Sequence, residues 1–217
     1  MTFKRDAKWR DSDLPDDIYI GVDLGQANDY TAVAVIEGLV YYDHYRCVAL
    51  DRWRGELYPA IVKKVEDIVN SYMLAGENVY LLVDRTGCVR PIVDEMFTHG
   101  LNPIGVTITG LGEPSCEYLN KWKSRQAWAV PKRDLITNLV LRVQNRELTL
   151  LDHLPLAPAL LAEMLSMTAK INSRTGNDSY GAEKAGEHDD LVTALSLAAW
   201  WAQNRPAPAF VTTPLRC

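Results

Sequence analysis

No stretch of this sequence is apolar for long enough to cross a bilayer as a helix, so a membrane-spanning helical protein is not expected. Residues Met1 to Asp17 are charged and lack the apolar centre of a signal peptide. The four cysteines, Cys47, Cys88, Cys116 and Cys217, never stand in CxxC spacing, which argues against both a zinc knuckle and a disulfide framework. Reduced thiols and a cytoplasmic location are the simpler expectation. There is no internal repeat and no GxxxxGK[ST] phosphate loop, so ATP hydrolysis of the P-loop kind has no residues to carry it. Nor is the chain basic overall: its formal net charge is −5.

What is present is ordinary in bulk and uneven in detail. At 217 residues, 47% hydrophobic and 24% charged, the chain suits a single globular domain. Between Asn120 and Arg146, however, seven basic residues stand against one acid, Asp134. A basic stripe beside an acidic remainder suits a protein that grips a phosphate backbone and keeps a carboxylate cluster for metal.

The hydrophobic pattern predicts a polar tail over 1–17, a folded domain over 18–204 and a proline-rich tail over 205–217. Within the domain, Ile18–Leu24, Thr31–Glu37 and Leu39–Leu50 read as three strands spaced closely enough for an antiparallel meander. Pro59 opens a helix with Ile61, Val62, Val65, Ile68, Val69 and Tyr72 on one face, and Gly76 ends it. Val79–Val83 is an unbroken apolar strand of the kind buried on both faces. A helix over Val89–His99, a strand over Ile104–Thr109 and a glycine/proline loop follow, then a basic stretch leading into a helix over Lys132–Asn145. Leu148–Leu151 reads as a short edge strand, Ala157–Ala169 as a helix, Ser173–Gly186 as a loop, and His188–Gln203 as a buried helix. A right-handed crossover places Val79–Val83 parallel to the first strand and beside it. The expected fold is α/β: a mixed sheet of ribonuclease-H-like order, flanked by helices.

This order matters because it puts Asp23 and Asp84 at the carboxyl ends of two neighbouring parallel strands, the edge where open α/β sheets bind ligands. Two carboxylates that close repel each other unless a cation lies between them or one takes up a proton. A third acidic element, Asp189-Asp190, directly precedes the last helix. Alone, such a pair is more often a helix cap. With two acids at strand ends it completes a set able to chelate two ions, Mg2+ or Mn2+, which would activate water for phosphodiester cleavage.

Three blocks then resemble the nuclease domain of the phage terminase large subunit, a family that cuts viral DNA during packaging. Ile20-Gly21-Val22-Asp23-Leu24-Gly25 with Asn28-Asp29-Tyr30-Thr31-Ala32 is similar to its first-strand block. Val83-Asp84-Arg85-Thr86-Gly87 through Val93 is similar to its second acidic block, and Gly186-Glu187-His188-Asp189-Asp190-Leu191-Val192-Thr193-Ala194 to its last. The resemblance implies that Asp23, Asp84 and Asp189 are catalytic metal ligands, with Asp190 additional and Asp29 either a ligand or a turn residue. It implies double-stranded DNA as substrate. It also implies a terminase ATPase motor, a small terminase subunit and a portal as partners, no membrane, and the bacterial host cytoplasm as the place of action. Complete large terminases carry an ATPase motor that these residues lack, so an isolated nuclease domain or a stand-alone nuclease is expected.

For DNA contacts the candidates are Lys121, Lys123, Arg125, Lys132 and Arg133 in the basic stripe, and Arg85 and Arg90 flanking Asp84. A solvated charged face is the bland alternative for each. His188 is a candidate for proton transfer, though a helix-start histidine without chemistry is the simpler reading. Two other functions compete: a Holliday-junction resolvase of the same fold, and an actin/Hsp70-like ATPase fragment, whose first phosphate loop also reads like Gly21-Val22-Asp23-Leu24-Gly25. The ATPase needs two such domains and a glycine-rich adenosine segment not found after Gly110.

Overall fold

A computed structural model describes residues 17–25, 29–39, 44–87, 90–119, 125–172 and 188–205. The elements run β1 (Asp17–Asp23), β2 (Tyr30–Leu39), β3 (His44–Arg54), α1 (Tyr58–Met73), β4 (Asn78–Asp84), α2 (Arg90–Thr98) and β5 (Ile104–Thr109). They continue with β6 (Ser115–Tyr118), β7 (Gln126–Pro131), α3 (Lys132–Gln144), β8 (Leu148–Leu150), α4 (Ala157–Asn172) and α5 (Asp190–Asn204). One eight-stranded sheet holds every described strand, in the order β6-β7-β5-β4-β1-β2-β3-β8. The meander β1-β2-β3 is antiparallel, and β4 lies parallel to β1 as the crossover argument requires.

Strand alternation sorts side chains to two faces. Ile18, Ile20 and Val22 of β1 join Leu81 and Val83 of β4 in a core with Val62 and Val65 of α1 and Ile92 and Met96 of α2. The opposite face carries Tyr19, Ala32, Ala34, Ile36 and Leu82, packed against α3, α4 and α5. The result is a three-layer sandwich, helices on both sides of a mixed sheet. Helix α5 is buried from Leu191 to Ala202, as its all-round apolar pattern demands. Trp128 of β7 closes one end of this layer, its ring 5.4 Å from that of Trp200 and 5.8 Å from that of Trp201. Arg205 pairs with Asp17 at 2.6 Å, tying the end of α5 to the start of β1.

Two departures from the sequence pattern are informative. The third strand runs from His44 to Arg54 rather than over Leu39–Leu50. Its charged end is held by backbone pairing to β2, as in Tyr30↔Arg54 and Ala32↔Arg52, which hydropathy does not register. The β6–β7 hairpin falls where a loop and a basic stretch were expected. Strand β6 is exposed throughout, and β7 is fixed by parallel pairing to β5, a long-range contact without a local signature.

Candidate active site

Asp23 and Asp84 are the last residues of β1 and β4, and the pairing Val22↔Val83 puts them next in line on adjacent strand ends. Asp23 is in phase with Tyr19 and Gly21, and Asp84 with Tyr80 and Leu82, so both belong to the face that α5 covers. Helix α5 crosses that face closely enough that a Cβ on Gly21 would lie 1.9 Å from the Ala194 carbonyl oxygen. The chain then turns back tightly after β1. The Gly25 N–H donates to the Thr31 hydroxyl at 3.1 Å, and a Cβ on Gly25 would meet the Tyr30 carbonyl oxygen at 2.4 Å. Asp84 accepts the Thr86 backbone N–H at 2.8 Å and the Thr86 hydroxyl, which itself accepts the Ile108 N–H of β5 at 2.9 Å.

The remaining acids arrive on the start of α5. Asp189 is the residue at the helix cap, yet its carboxylate makes no capping hydrogen bond; it pairs with Lys132 Nζ at 2.6 Å. Asp190 accepts from Arg52 of β3 at 3.0 Å, and His188 Nδ1 lies 3.7 Å from the same Asp190 oxygen. The His188 ring stands edge-on to Tyr30, with ring centroids 5.1 Å apart, and the Arg52 guanidinium lies 4.1 Å over the Tyr30 ring. Arg52 also reaches Glu163 of α4 at 3.3 Å. Glu163 is buried and accepts the backbone N–H groups of Leu191 at 3.0 Å and Val192 at 3.2 Å.

The electrostatics show an excess of negative charge. Burial holds the Asp23 carboxyl well above the usual carboxylate range, and the charges of Asp84, Asp190 and Asp189 push the same way, against Lys132. Burial raises Asp84 too, opposed by its hydrogen bonds from Thr86 and by Lys132. Asp190 is raised by burial and held down by Arg52. Glu163 is lifted to about 7 by burial, against the Val192 N–H and Arg52. An all-carboxylate set that its cationic neighbours do not neutralise fits a hard divalent cation such as Mg2+ or Mn2+. Among the described residues no three His, Cys, Asp or Glu side chains form a ready-made metal cage. Water and substrate phosphate oxygens would complete the shell, as is usual for Mg2+.

The structure thus brings Asp84, Asp189 and Asp190 within electrostatic reach of Asp23, while Asp29 is exposed between β1 and β2. Among the basic candidates, Lys132 lies among the acids. Arg85 is buried, its side chain where a Cβ on Gly105 would sit and its guanidinium 3.8 Å from Glu117. Arg133 is half-buried and pairs with Asp134 at 3.1 Å, and Arg125 lies 3.8 Å over the Phe97 ring. Lys121 and Lys123 lie outside the described residues, as do the side chain of Arg90 and the Ser173–Gly186 segment. Sequence reasoning missed Arg52, Thr86 and Glu163. Glu163 had a legible signal: it sits between Leu160 and Met167 on the buried face of an amphipathic helix, where an unpaired acid is costly.

No protein-family model and no curated protein sequence matches the chain. Solved structures do. The large terminase nuclease from thermophilic phage G20c superposes with a TM-score of 0.54 at 20% identity, covering 86% of this chain and 82% of that one. The human cytomegalovirus terminase nuclease domain, Mn soaked and inhibitor bound, gives 0.51 at 11% identity, covering 88% and 85%. This chain has the ribonuclease-H-like fold of the terminase nuclease domains. The large terminase of bacteriophage D6E in complex with ATP-gamma-S also matches, with a TM-score of 0.51 at 11% identity, but over 39% of its length. That chain is longer, and the terminase-like fold here corresponds to a part of it.

Proposed function

We propose that this chain is a metal-dependent endonuclease that hydrolyses double-stranded DNA, acting as the nuclease part of a viral DNA-packaging terminase. One observation carries the reading: four aspartates from β1, β4 and the start of α5 converge at the carboxyl edge of the sheet, with Asp23 pushed strongly toward its protonated form. The fold shared with terminase nucleases, one of them Mn soaked, supports it. Asp23, Asp84, Asp189 and Asp190 would hold two Mg2+ or Mn2+ ions. When bound, such ions supply an activated water and stabilise the leaving oxygen. Asp84 is fixed in orientation by Thr86, and Asp190 by Arg52. Lys132 gives Asp189 a counter-charge when no divalent ion is present. The expected partner is an ATPase motor supplied by a separate chain or by further sequence, with a small terminase subunit and portal completing the system.

The test is supercoiled plasmid incubated with Mg2+, with Mn2+ and with excess EDTA, each with and without ATP. Cleavage is expected with either metal, none in EDTA, and no dependence on ATP. Robust cutting in EDTA would overturn the metal mechanism, and cutting confined to four-way junctions would favour the resolvase.

DNA grip is assigned to the basic stripe, Lys121, Lys123, Arg125 and Arg133; Lys132 pairs with Asp189 and Arg85 is buried. Neutralising Lys121, Lys123 and Arg125 together should flatten the slope of log affinity against log salt by about 0.9 per lost contact on duplex DNA. The measurement belongs in an Asp84→Asn background, so that cleavage does not distort binding. An unaltered slope would assign these side chains to a solvated face.

A further inference from the structure

A helix that starts at an aspartate normally folds that side chain back onto its own first turn. The carboxylate at the cap accepts the N–H of the second or third helical residue, because those donors have no partner inside the helix. In α5 the cap residue is Asp189, and the donors concerned are those of Leu191 and Val192. Its carbonyl does what a cap's should, since the Thr193 N–H donates to it at 2.8 Å. Its side chain does not: the carboxylate leaves the helix for Lys132 at 2.6 Å. The two donors are taken instead by a single oxygen of Glu163, at 3.0 and 3.2 Å, from a helix 28 residues upstream.

We infer that Glu163 is a positioning residue that caps α5 in place of Asp189 and so releases the Asp189 carboxylate to the acidic cluster. Competition for the same two N–H groups is the physical basis. A side chain three bonds from the helix start would satisfy them locally, at the expense of its reach toward Asp23 and Asp84. Glu163 removes that competition and braces the arrangement through Arg52, which joins it at 3.3 Å and Asp190 at 3.0 Å. Without the acceptor on α4, Asp189 turns back to cap its own helix, and the site loses one of the ligands proposed above. The functional consequence rests on the metal-nuclease reading, but the exchange of caps does not.

Two measurements on the full chain separate these. The first is a thermal-unfolding cycle without metal, combining Glu163→Ala with Asp189→Ala. In the wild-type background Asp189→Ala removes no cap and should leave Tm unchanged or raised; in Glu163→Ala it removes the substitute cap and should lower Tm. Equal Tm changes in both backgrounds would overturn the proposal whatever the protein does with DNA. The second is Mn2+ titration by calorimetry. Glu163→Ala should weaken Mn2+ binding roughly 10- to 100-fold, the range for residues that orient metal ligands. Glu163→Gln, whose carbonyl oxygen can still accept both N–H groups, should restore most of that affinity. Wild-type affinity in Glu163→Ala, or no recovery in Glu163→Gln, counts against the positioning role. Should Glu163→Ala not fold, Glu163→Met keeps the volume without the acceptor and is held to the same outcomes. If the wild-type protein itself binds no Mn2+, the metal reading fails, while the thermal cycle still decides the cap.

Discussion

Replacing Asp23 by Asn should reduce plasmid cleavage by more than about 100-fold, beyond the loss that follows removal of a residue that merely orients a ligand. The same substitution should not destabilise the metal-free protein. Asp23 is a half-buried carboxyl within electrostatic reach of Asp84, Asp190 and Asp189, and its pKa is raised well above the ordinary value of 3.8. The folded chain therefore keeps this proton at pH values where the unfolded chain has lost it. Its contribution to stability is complete below about pH 4 and is lost as the pH rises through the raised folded value. Asparagine imitates the protonated form and does not titrate. Metal-free Asp23→Asn should then be at least as stable as wild type at neutral pH, with the difference vanishing in acid. Urea midpoints at pH 4 and pH 7.5 beside a cleavage assay check both halves. Asp84→Asn should behave alike, with a smaller gain, because Thr86 already stabilises the Asp84 carboxylate. Wild-type cutting in Asp23→Asn would refute the site, and a loss of stability at neutral pH would refute the electrostatics.

The largest structural effect is expected from one methyl group on Gly21. A Cβ there would lie 1.9 Å from the Ala194 carbonyl oxygen and 3.1 Å from the Ala198 nitrogen, both main chain of α5, so no side-chain rotation relieves the clash. Either α5 moves off β1 or the strand does. Overpacking of this kind should cost about 3 kcal/mol or more. In a chain of this size that lowers Tm by roughly 6–12 °C. Because α5 carries Asp189 and Asp190 at its first turn, activity should fall further than the folded fraction accounts for. A displacement of about 1 Å in a catalytic group can cost ~100-fold. The check compares cleavage per folded molecule in Gly21→Ala and wild type at a temperature where both are folded. Unchanged Tm and activity would mean that α5 does not approach β1 as described.

Much of the architecture was legible because the relevant forces act locally along the chain. Alternation in Ile18–Val22 and the unbroken Val79–Val83 run are statements about which faces of a strand are buried, and they hold whatever the strands pair with. The right-handed crossover then leaves one place for β4, beside β1, and two aspartates follow to neighbouring strand ends. The β6–β7 hairpin was not legible. Strand β7 is held by pairing with β5 and β6 by pairing with β7, and nothing within 115–131 announces the partner outside that segment. The same limit hid the ion pair of Lys132 with Asp189; the charge pattern grouped that lysine with a basic stripe.

The sequence by itself determined that this chain would form a mixed α/β sheet with Asp23 and Asp84 at one edge, since hydrophobic period, strand order and handedness suffice for that. It could not determine what the Asp189-Asp190 pair does, because a cap and a ligand demand the same residue type at the same place. The tertiary structure decided one half of it: Asp189 does not cap its own helix, because Glu163 of α4 takes the Leu191 N–H at 3.0 Å. Once those donors are satisfied from another helix, the Asp189 carboxylate has no local partner left to hold it. Its direction is then set by the charges across the sheet edge, a balance of position and burial that exists only in the folded chain.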